Sequence, residues 1–221
     1  MTLESSKILG GIGAILLFIG VITFFVQPFL AILGLIGIIL VLVAMHDLAS
    51  YYKESGVFNN ALYGFIAGIV GIVVTGITFV YLFFYTSVLT DFLYKIYPSW
   101  NGDLSTLSGL TANTSDISLS DATPILESFF LVLVVFWIFS IIAAFFARRS
   151  LKALSAKASV GLFSTAALLL LIGGFLAIAF IGFILMWIAL LLIAIAFFQI
   201  KPQPEQPVAT MAPSPSTPTP V

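Results

Sequence analysis

Long apolar runs separated by short polar segments make up most of the chain. Residues 8–44 contain no charged residue, and residues 160–198 form a second uncharged run. A single helix over either run would be roughly 55–60 Å long at 1.5 Å per residue, whereas the hydrocarbon core of a bilayer is about 30 Å thick. Each run is therefore predicted to fold back as two membrane-spanning helices.

Turn signals set the boundaries of six predicted helices. Pro28 interrupts the first run, because proline ends one helix and suits the first turn of the next. Gly173, Gly174 and Gly182 mark a weaker turn in the second run, so whether residues 160–198 form one span or two stays open. Thr123-Pro124 has the pattern of a helix start, and the helix that begins there is expected to continue past its membrane span into the basic residues 148–157. The predicted spans are residues 6–26, 28–50, 57–85, 124–147, 160–176 and 181–198, all within a helical membrane domain over residues 1–200.

Residues 86–123 form the sizeable polar loop between the third and fourth predicted helices. Its first part places Leu89, Phe92, Leu93 and Ile96 on one helical face, which predicts a helix lying on the membrane surface. Its second part is rich in Ser and Thr and contains the tripeptide Asn113-Thr114-Ser115. Asn113 is thus a candidate glycosylation site, provided that the loop faces a glycosylating compartment.

Composition excludes several classes of protein. The chain is 61% hydrophobic and 8% charged, against about 25% charged residues in soluble domains. The net charge of -1 offers no basic footprint for nucleic acid. Cysteine is absent, which excludes disulfides, iron–sulfur clusters and cysteine nucleophiles. The predicted fold class is an all-α integral membrane protein, a polytopic bundle of six transmembrane helices.

The basic residues predict the orientation of the bundle. With six spans, seven of the eight Lys and Arg residues lie on the side of both termini, and Lys95 lies on the other. The positive side is cytoplasmic, so we expect cytoplasmic termini and an extracellular loop 86–123 in the plasma membrane. A five-span version divides these residues six against two and is the runner-up. The seven residues are Lys7, Lys53, Arg148, Arg149, Lys152, Lys157 and Lys201.

Two sets of residues are candidates for contacts with lipid or with other helices. The connector between the fourth and fifth predicted helices carries four basic residues that suit anionic lipid headgroups, although they also serve orientation alone: Arg148, Arg149, Lys152 and Lys157. In the third predicted helix, small residues at helical spacing favour close packing, either within the molecule or in a homo-oligomer: Gly64, Gly68 and Gly71.

Residues suited to catalysis are sparse. Glu127 lies near the outer end of the fourth predicted helix, where it stays hydrated. His46 is the one histidine, and beside Asp47 and Glu54 in a polar connector it is typical of a solvated surface. We therefore predict no catalytic, cofactor-binding or metal-binding residue, and a protein that is not an enzyme.

The last 21 residues differ from the rest of the chain. Residues 201–221 hold seven of the ten prolines, which predicts a disordered cytoplasmic tail with polyproline II character. Such a tail suits binding to a cytoplasmic protein partner. The leading hypothesis is a non-enzymatic membrane scaffold or adaptor in contact with membrane lipids. The alternative is a passive channel or facilitator for a small neutral solute.

Two segments resemble a known family. They are SKILGGIGAILLFIG (Ser6–Gly20) and GVFNNALYGFIAGIVG (Gly56–Gly71), of which the FNNALYG run is the less generic part. The chain is similar here to an uncharacterised, mainly archaeal family of multi-pass membrane proteins, a domain of unknown function. The resemblance implies a helical integral membrane protein. It supplies no activity, so it assigns no catalytic residue.

Overall fold

The computed structural model describes residues 2–115 and 117–202, except for the side chains of residues 23–26, 28 and 31. Over these residues the chain forms α1 (Leu3–Val26), α2 (Ala31–Tyr51), α3 (Ser55–Val80), α4 (Val88–Ile96), α5 (Leu119–Ala158), α6 (Gly161–Leu176) and α7 (Ile181–Phe198). Within this described part, six helices, all except α4, are long and apolar enough to cross a membrane. The predicted fold class, a polytopic all-helical bundle with six spans, is confirmed.

The six long helices close into a ring. In order around the ring, α1 contacts α2, α2 contacts α3, α3 contacts α5, α5 contacts α6, α6 contacts α7, and α7 returns to α1. The contact between α2 and α3 is the least extensive of the six. These two helices meet near their connector, where the His46 ring lies edge-on to the Phe58 ring at 5.0 Å.

Glycine pairs hold the two helical hairpins together. A Cβ atom at Gly13 would lie 2.7 Å from the carbonyl oxygen of Gly37, and one at Gly37 would lie 2.6 Å from that of Gly13. In the α6–α7 hairpin, a Cβ atom at Gly173 would lie 2.8 Å from the carbonyl oxygen of Gly182. Only residues without a side chain let the two backbones approach so closely.

One end of the ring contains most of the tightly packed core, and we call it the connector end. It gathers the start of α1, the connectors α2–α3 and α5–α6, and the end of α7. Ser6 Oγ lies 3.5 Å from Asp47 Oδ2, and Ser150 Oγ donates to the carbonyl oxygen of Val57. Fully buried apolar side chains fill the space between them, namely Leu48, Val57, Leu154, Phe163, Phe197 and Ile200.

The opposite end, which we call the loop end, is built from the polar loop. A single π-helical turn (Tyr81–Tyr85) continues α3 and leads to α4. The loop is tied back to the helices by a hydrogen bond from Lys95 to Asp121 and by one of 2.8 Å from the Asn113 amide to the Ile96 carbonyl oxygen. Trp100 is buried and donates from Nε1 to the Asp103 carbonyl oxygen at 2.7 Å.

The start of α5 differs from prediction. The start predicted at Thr123-Pro124 is wrong, because α5 begins at Leu119 and contains Pro124. Ser118 and Asp121 form a capping box that satisfies the first amides of the helix, and this local signal outweighs the proline. The expected continuation of this helix past residue 147 into the basic residues is confirmed, since α5 extends to Ala158.

The turn between α6 and α7 lies where the predicted bounds place it, between residues 176 and 181, but the glycines that indicated it do not make it. It is made at Phe180, which has a φ of 61° in the left-handed region, and not at a glycine. Gly173 and Gly182, which marked the turn in the sequence, lie at the contact between the two helices instead. Packing of the hairpin, which needs small residues, therefore outweighs the ordinary preference for glycine at the turn.

Candidate functional site

An apolar cavity of about 550 Å³ lies inside the ring. Its walls come chiefly from three helices, with Ile38 on α2, Phe65 on α3 and Phe139 on α5 among the lining residues. Leu170 on α6 and Met186 on α7 also line it. The cavity lies where α2 and α3 diverge from their connector, which explains why the contact between these two helices is sparse.

The three glycines singled out on α3 have different surroundings. A Cβ atom at Gly64 would lie 3.2 Å from the Ala143 carbonyl oxygen, and one at Gly71 would lie 2.5 Å from Phe139 Cβ. These two glycines therefore lie where α3 approaches α5 closely. A Cβ atom at Gly68 would have nothing within 4 Å, and Gly68 lines the cavity. Gly68 is thus not in close contact with another helix of this chain, and the packing role predicted for the three glycines stays a prediction.

The cavity wall offers almost no polar group. Among the described residues that line it, the hydroxyl-bearing ones are Ser140 and Ser150, and Ser150 Oγ is engaged with Val57. A buried water requires two to four polar partners. The cavity is therefore a site for apolar material and not for water or ions.

The basic connector is helical, because it forms the last turns of α5. Arg148, Arg149 and Lys152 share one arc of the helix surface. Residues one, three or four positions apart lie within about 100° of one another around the helix axis. Arg149 and Lys152 are exposed, and Arg148 is half-buried. The guanidinium carbon of Arg149 lies 4.5 Å from the centroid of the Phe145 ring. This geometry suits an aromatic ring in lipid below a cation at headgroup level.

Lys157 lies apart from these three residues. Its Nζ is 3.3 Å from Glu54 Oε2, so it bridges the α5–α6 connector to the α2–α3 connector. Both side chains are more than a third exposed, and such an ion pair contributes only about 0–1 kcal/mol. The pair helps to orient the end of α5. The lipid contact predicted for all four basic residues stays a prediction, and Lys157 suits it least.

The remaining candidates are dispersed. His46 Nδ1 lies 3.5 Å from Asp47 Oδ1 on an exposed surface, and Glu54 faces Lys157. Within the part of the chain that the structure describes, no group of three or more His, Asp or Glu residues is close enough to hold a metal ion. Glu127 is exposed near the loop end of α5.

The side chain of Asn113 is exposed at the loop end. Its Oδ1 accepts a hydrogen bond of 3.2 Å from the Ser115 amide. Glycosylation of Asn113 stays a prediction.

Comparison with known proteins assigns the chain to a family. Residues 33–191, which contain most of α2, all of α3 to α6 and most of α7, match the family model described as Protein of unknown function (DUF996). The chain belongs to this family. It is 28% identical over 204 residues to the "Uncharacterized protein MJ1644" of Methanocaldococcus jannaschii, an alignment that covers 90% of this chain and 94% of the relative. No solved structure matches the chain significantly.

Membership of the DUF996 family confirms the resemblance drawn from the sequence. The cavity had no counterpart in the sequence analysis. The sequence signal for the cavity is a pair of glycines on neighbouring helices, Gly34 and Gly68. Both line the cavity, and both have open space where a side chain would be. This pair is indistinguishable in sequence from glycines that pack against a neighbouring helix.

Proposed function

We propose that this DUF996 protein is a non-enzymatic membrane scaffold that presents the basic end of α5 to the cytoplasm. The observation that carries the proposal is the length of α5, which has 40 residues and extends about 60 Å. The hydrocarbon core accounts for only about 30 Å of this. An ordered helical end, with three basic residues on one arc, is therefore available outside the lipid.

The connector end has the rigidity that a scaffold needs. The end of α5 is held by the Ser150–Val57 hydrogen bond and the Lys157–Glu54 ion pair. Buried side chains from several helices, including Leu154 and Phe197, pack beneath it. A surface supported in this way loses little conformational freedom when a partner binds.

The cytoplasmic orientation of this end follows from the bias of basic residues. It would put the tail that begins at Lys201 on the same side of the membrane as the basic end of α5. Residues 203–221 of the tail lie outside the described residues, so its role as the segment that recruits a partner rests on its composition alone. Anionic headgroups of the cytoplasmic leaflet are the other partner that the three basic residues suit.

A passive facilitator for a small neutral solute is the second candidate, but the geometry favours it less. A pore for a polar solute requires a polar path, whereas the cavity wall is apolar. Thr78 Oγ1, a polar group within α3, donates to the Val74 carbonyl oxygen of its own helix at 2.8 Å. The Thr78 hydroxyl is thus engaged with its own backbone and is not a free donor for a passing solute.

The scaffold proposal is tested by comparing three forms of the tagged protein purified from membranes. They are the intact chain, a chain truncated after Lys201, and an intact chain with Arg149→Gln and Lys152→Gln. We expect one protein partner, identified by mass spectrometry and then purified, to bind the intact chain directly and to bind both altered forms more weakly. Lys95→Gln, at the loop end, is the matched control and should bind as the intact chain does.

Equal binding by all forms, or a homo-oligomer without any other partner, would contradict the scaffold role. Solute flux in vesicles would then become the measurement to pursue. The Gln variants leave five of the seven basic residues on the proposed cytoplasmic side, so we expect their orientation to be retained.

A further inference from the structure

The cavity is long and narrow, as an extended hydrocarbon chain is. Its lining on α2 runs from Gly34 to Met45, and its lining on α3 runs from Ala61 to Ile72. Either stretch corresponds to roughly 17 Å along the helix axis. The long axis of the cavity is therefore parallel to the spans, and its length is close to the thickness of one leaflet, about half of the roughly 30 Å hydrocarbon core.

The cavity opens sideways between α2 and α3. Leu35 on one side of the gap is 62% exposed, and Ile69 and Ile72 on the other side are 45% and 68% exposed, although all three line the cavity. These residues belong to membrane-spanning segments. The medium at the opening is therefore lipid hydrocarbon, and the rim presents the same apolar chemistry.

The cavity volume fits a ligand. At about 550 Å³ it falls within the range of roughly 300–1,000 Å³ that is usual for small-molecule sites. An empty gap of this size would forgo the dispersion contacts of its entire lining. Water would find too few polar partners there. Hydrocarbon restores those contacts without requiring any hydrogen bond.

We propose that this cavity holds one hydrocarbon chain of a membrane phospholipid, which enters through the gap between α2 and α3. Gly34 and Gly68 keep the space open from opposite walls, because a side chain at either position would project into it. Gly64 and Gly71 meanwhile hold α3 against α5. The site is independent of the scaffold role, since it depends on neither the basic end of α5 nor the tail.

The full-length protein provides the test after reconstitution into vesicles of phosphatidylcholine and phosphatidylglycerol. A small fraction of the phosphatidylcholine carries a photoactivatable diazirine in its acyl chain. After illumination, mass spectrometry locates the cross-linked residues. We expect cross-links at Ile38 and Phe65, on the cavity wall, to exceed those at Ile66 and Val70, which lie on the exposed outer side of α3.

Two matched variants distinguish cross-linking inside the cavity from cross-linking by the lipid around the bundle. Gly68→Trp places an indole in the cavity and should reduce cross-linking at Ile38 and Phe65 to the level of Ile66. Gly76→Trp makes the same change on the same helix, also where a Cβ atom has nothing within 4 Å but outside this cavity, and should leave the wall cross-links unchanged. Neither change adds a Cβ clash, and replacing glycine inside a helix favours the helix.

Two results would overturn the proposal. Equal cross-linking at the wall and at the outer residues of α3 in the unaltered protein would mean that lipid only surrounds the bundle, and this comparison does not depend on any variant. A disulfide-linked dimer of Leu35→Cys without wall cross-links would mean that a second copy covers the gap. The disulfide in the second outcome could form only through the introduced cysteine, because the chain contains no other cysteine.

Discussion

At the scale of single residues, the glycines carry the most structural information. Gly13 and Gly37 allow α1 and α2 to touch, and Gly173 and Gly182 do the same for α6 and α7. A bundle in lipid gains little from burying apolar surface, because lipid tails are equally apolar. Close backbone approach therefore has to supply the attraction between these helices.

The first prediction concerns Gly182. A Cβ atom there would overlap the backbone of Gly173, Leu176 and Ala177, and backbone atoms cannot move aside as a flexible side chain does. We expect Gly182→Ala to destabilise the protein by about 2 kcal/mol or more, measured as a lower midpoint of thermal unfolding in detergent. Gly76→Ala, where the added methyl group meets open space, should be neutral or slightly stabilising. Equal midpoints for the two variants would contradict the packing argument.

At the scale of elements, the short turn after α4 shows how the polar loop is ordered. Asp103 begins a 3₁₀ turn (Leu104–Gly109) by accepting a 2.9 Å hydrogen bond from the Ser105 amide. This bond, together with one from the Ser105 hydroxyl, lowers the pKa of Asp103 below its ordinary value. The buried Trp100 donates to the carbonyl oxygen of the same residue, so its environment reports on the turn.

The second prediction is a pH dependence of this turn. Because the pKa of Asp103 is lower in the folded loop than in the unfolded chain, the carboxylate stabilises the turn at pH above its ordinary pKa. This contribution is lost as the pH falls through the folded value. We expect the tryptophan fluorescence to shift to the red, and its quenching by added iodide to increase, as the pH falls from about 5 to about 2.

Asp103→Asn is the matched control for this pH dependence, because the amide oxygen still accepts a hydrogen bond but does not titrate. Its fluorescence should change less over the same range. Identical profiles for the two proteins would show that Asp103 does not order the loop.

At the scale of the whole molecule, the ring consists of two glycine-packed hairpins joined through α3 and α5. The connector end holds most of the buried core, whereas the gap between α2 and α3 is the weakest contact of the ring. The tightly packed core and the opening of the cavity therefore lie in different parts of the bundle. The basic end of α5 lies at the rigid end, and the opening of the cavity lies along the flank of the bundle.

The third prediction concerns the orientation of the ring in the membrane. Ser108 in the loop and Ala156 near the end of α5 are both exposed, and the chain has no native cysteine. Single-cysteine variants at these positions should react with an impermeant maleimide from opposite sides of the membrane, with Ala156→Cys reacting from the cytoplasmic side. Reaction of both from the same side would contradict the six-span topology.

The sequence by itself determined the membrane class and favoured six spans over five, because both follow from local quantities, but it left residues 160–198 open as one span or two. The lengths of the uncharged runs and the position of Pro28 are enough to predict two hairpins. The start of α5 also depends on a local signal, since Ser118 and Asp121 form its capping box, although Thr123-Pro124 predicted a later start.

Only the tertiary structure decided what each glycine does and where the ring is open. Gly64 and Gly68 belong to the same motif on the same helix and both line the cavity, yet Gly64 lies against α5 and Gly68 has open space where a side chain would be. Gly182 looked like part of a turn, yet the turn was made at Phe180, with a positive φ. The physical reason is that a glycine permits close approach without requiring it, so its role depends on whether a neighbouring helix is present.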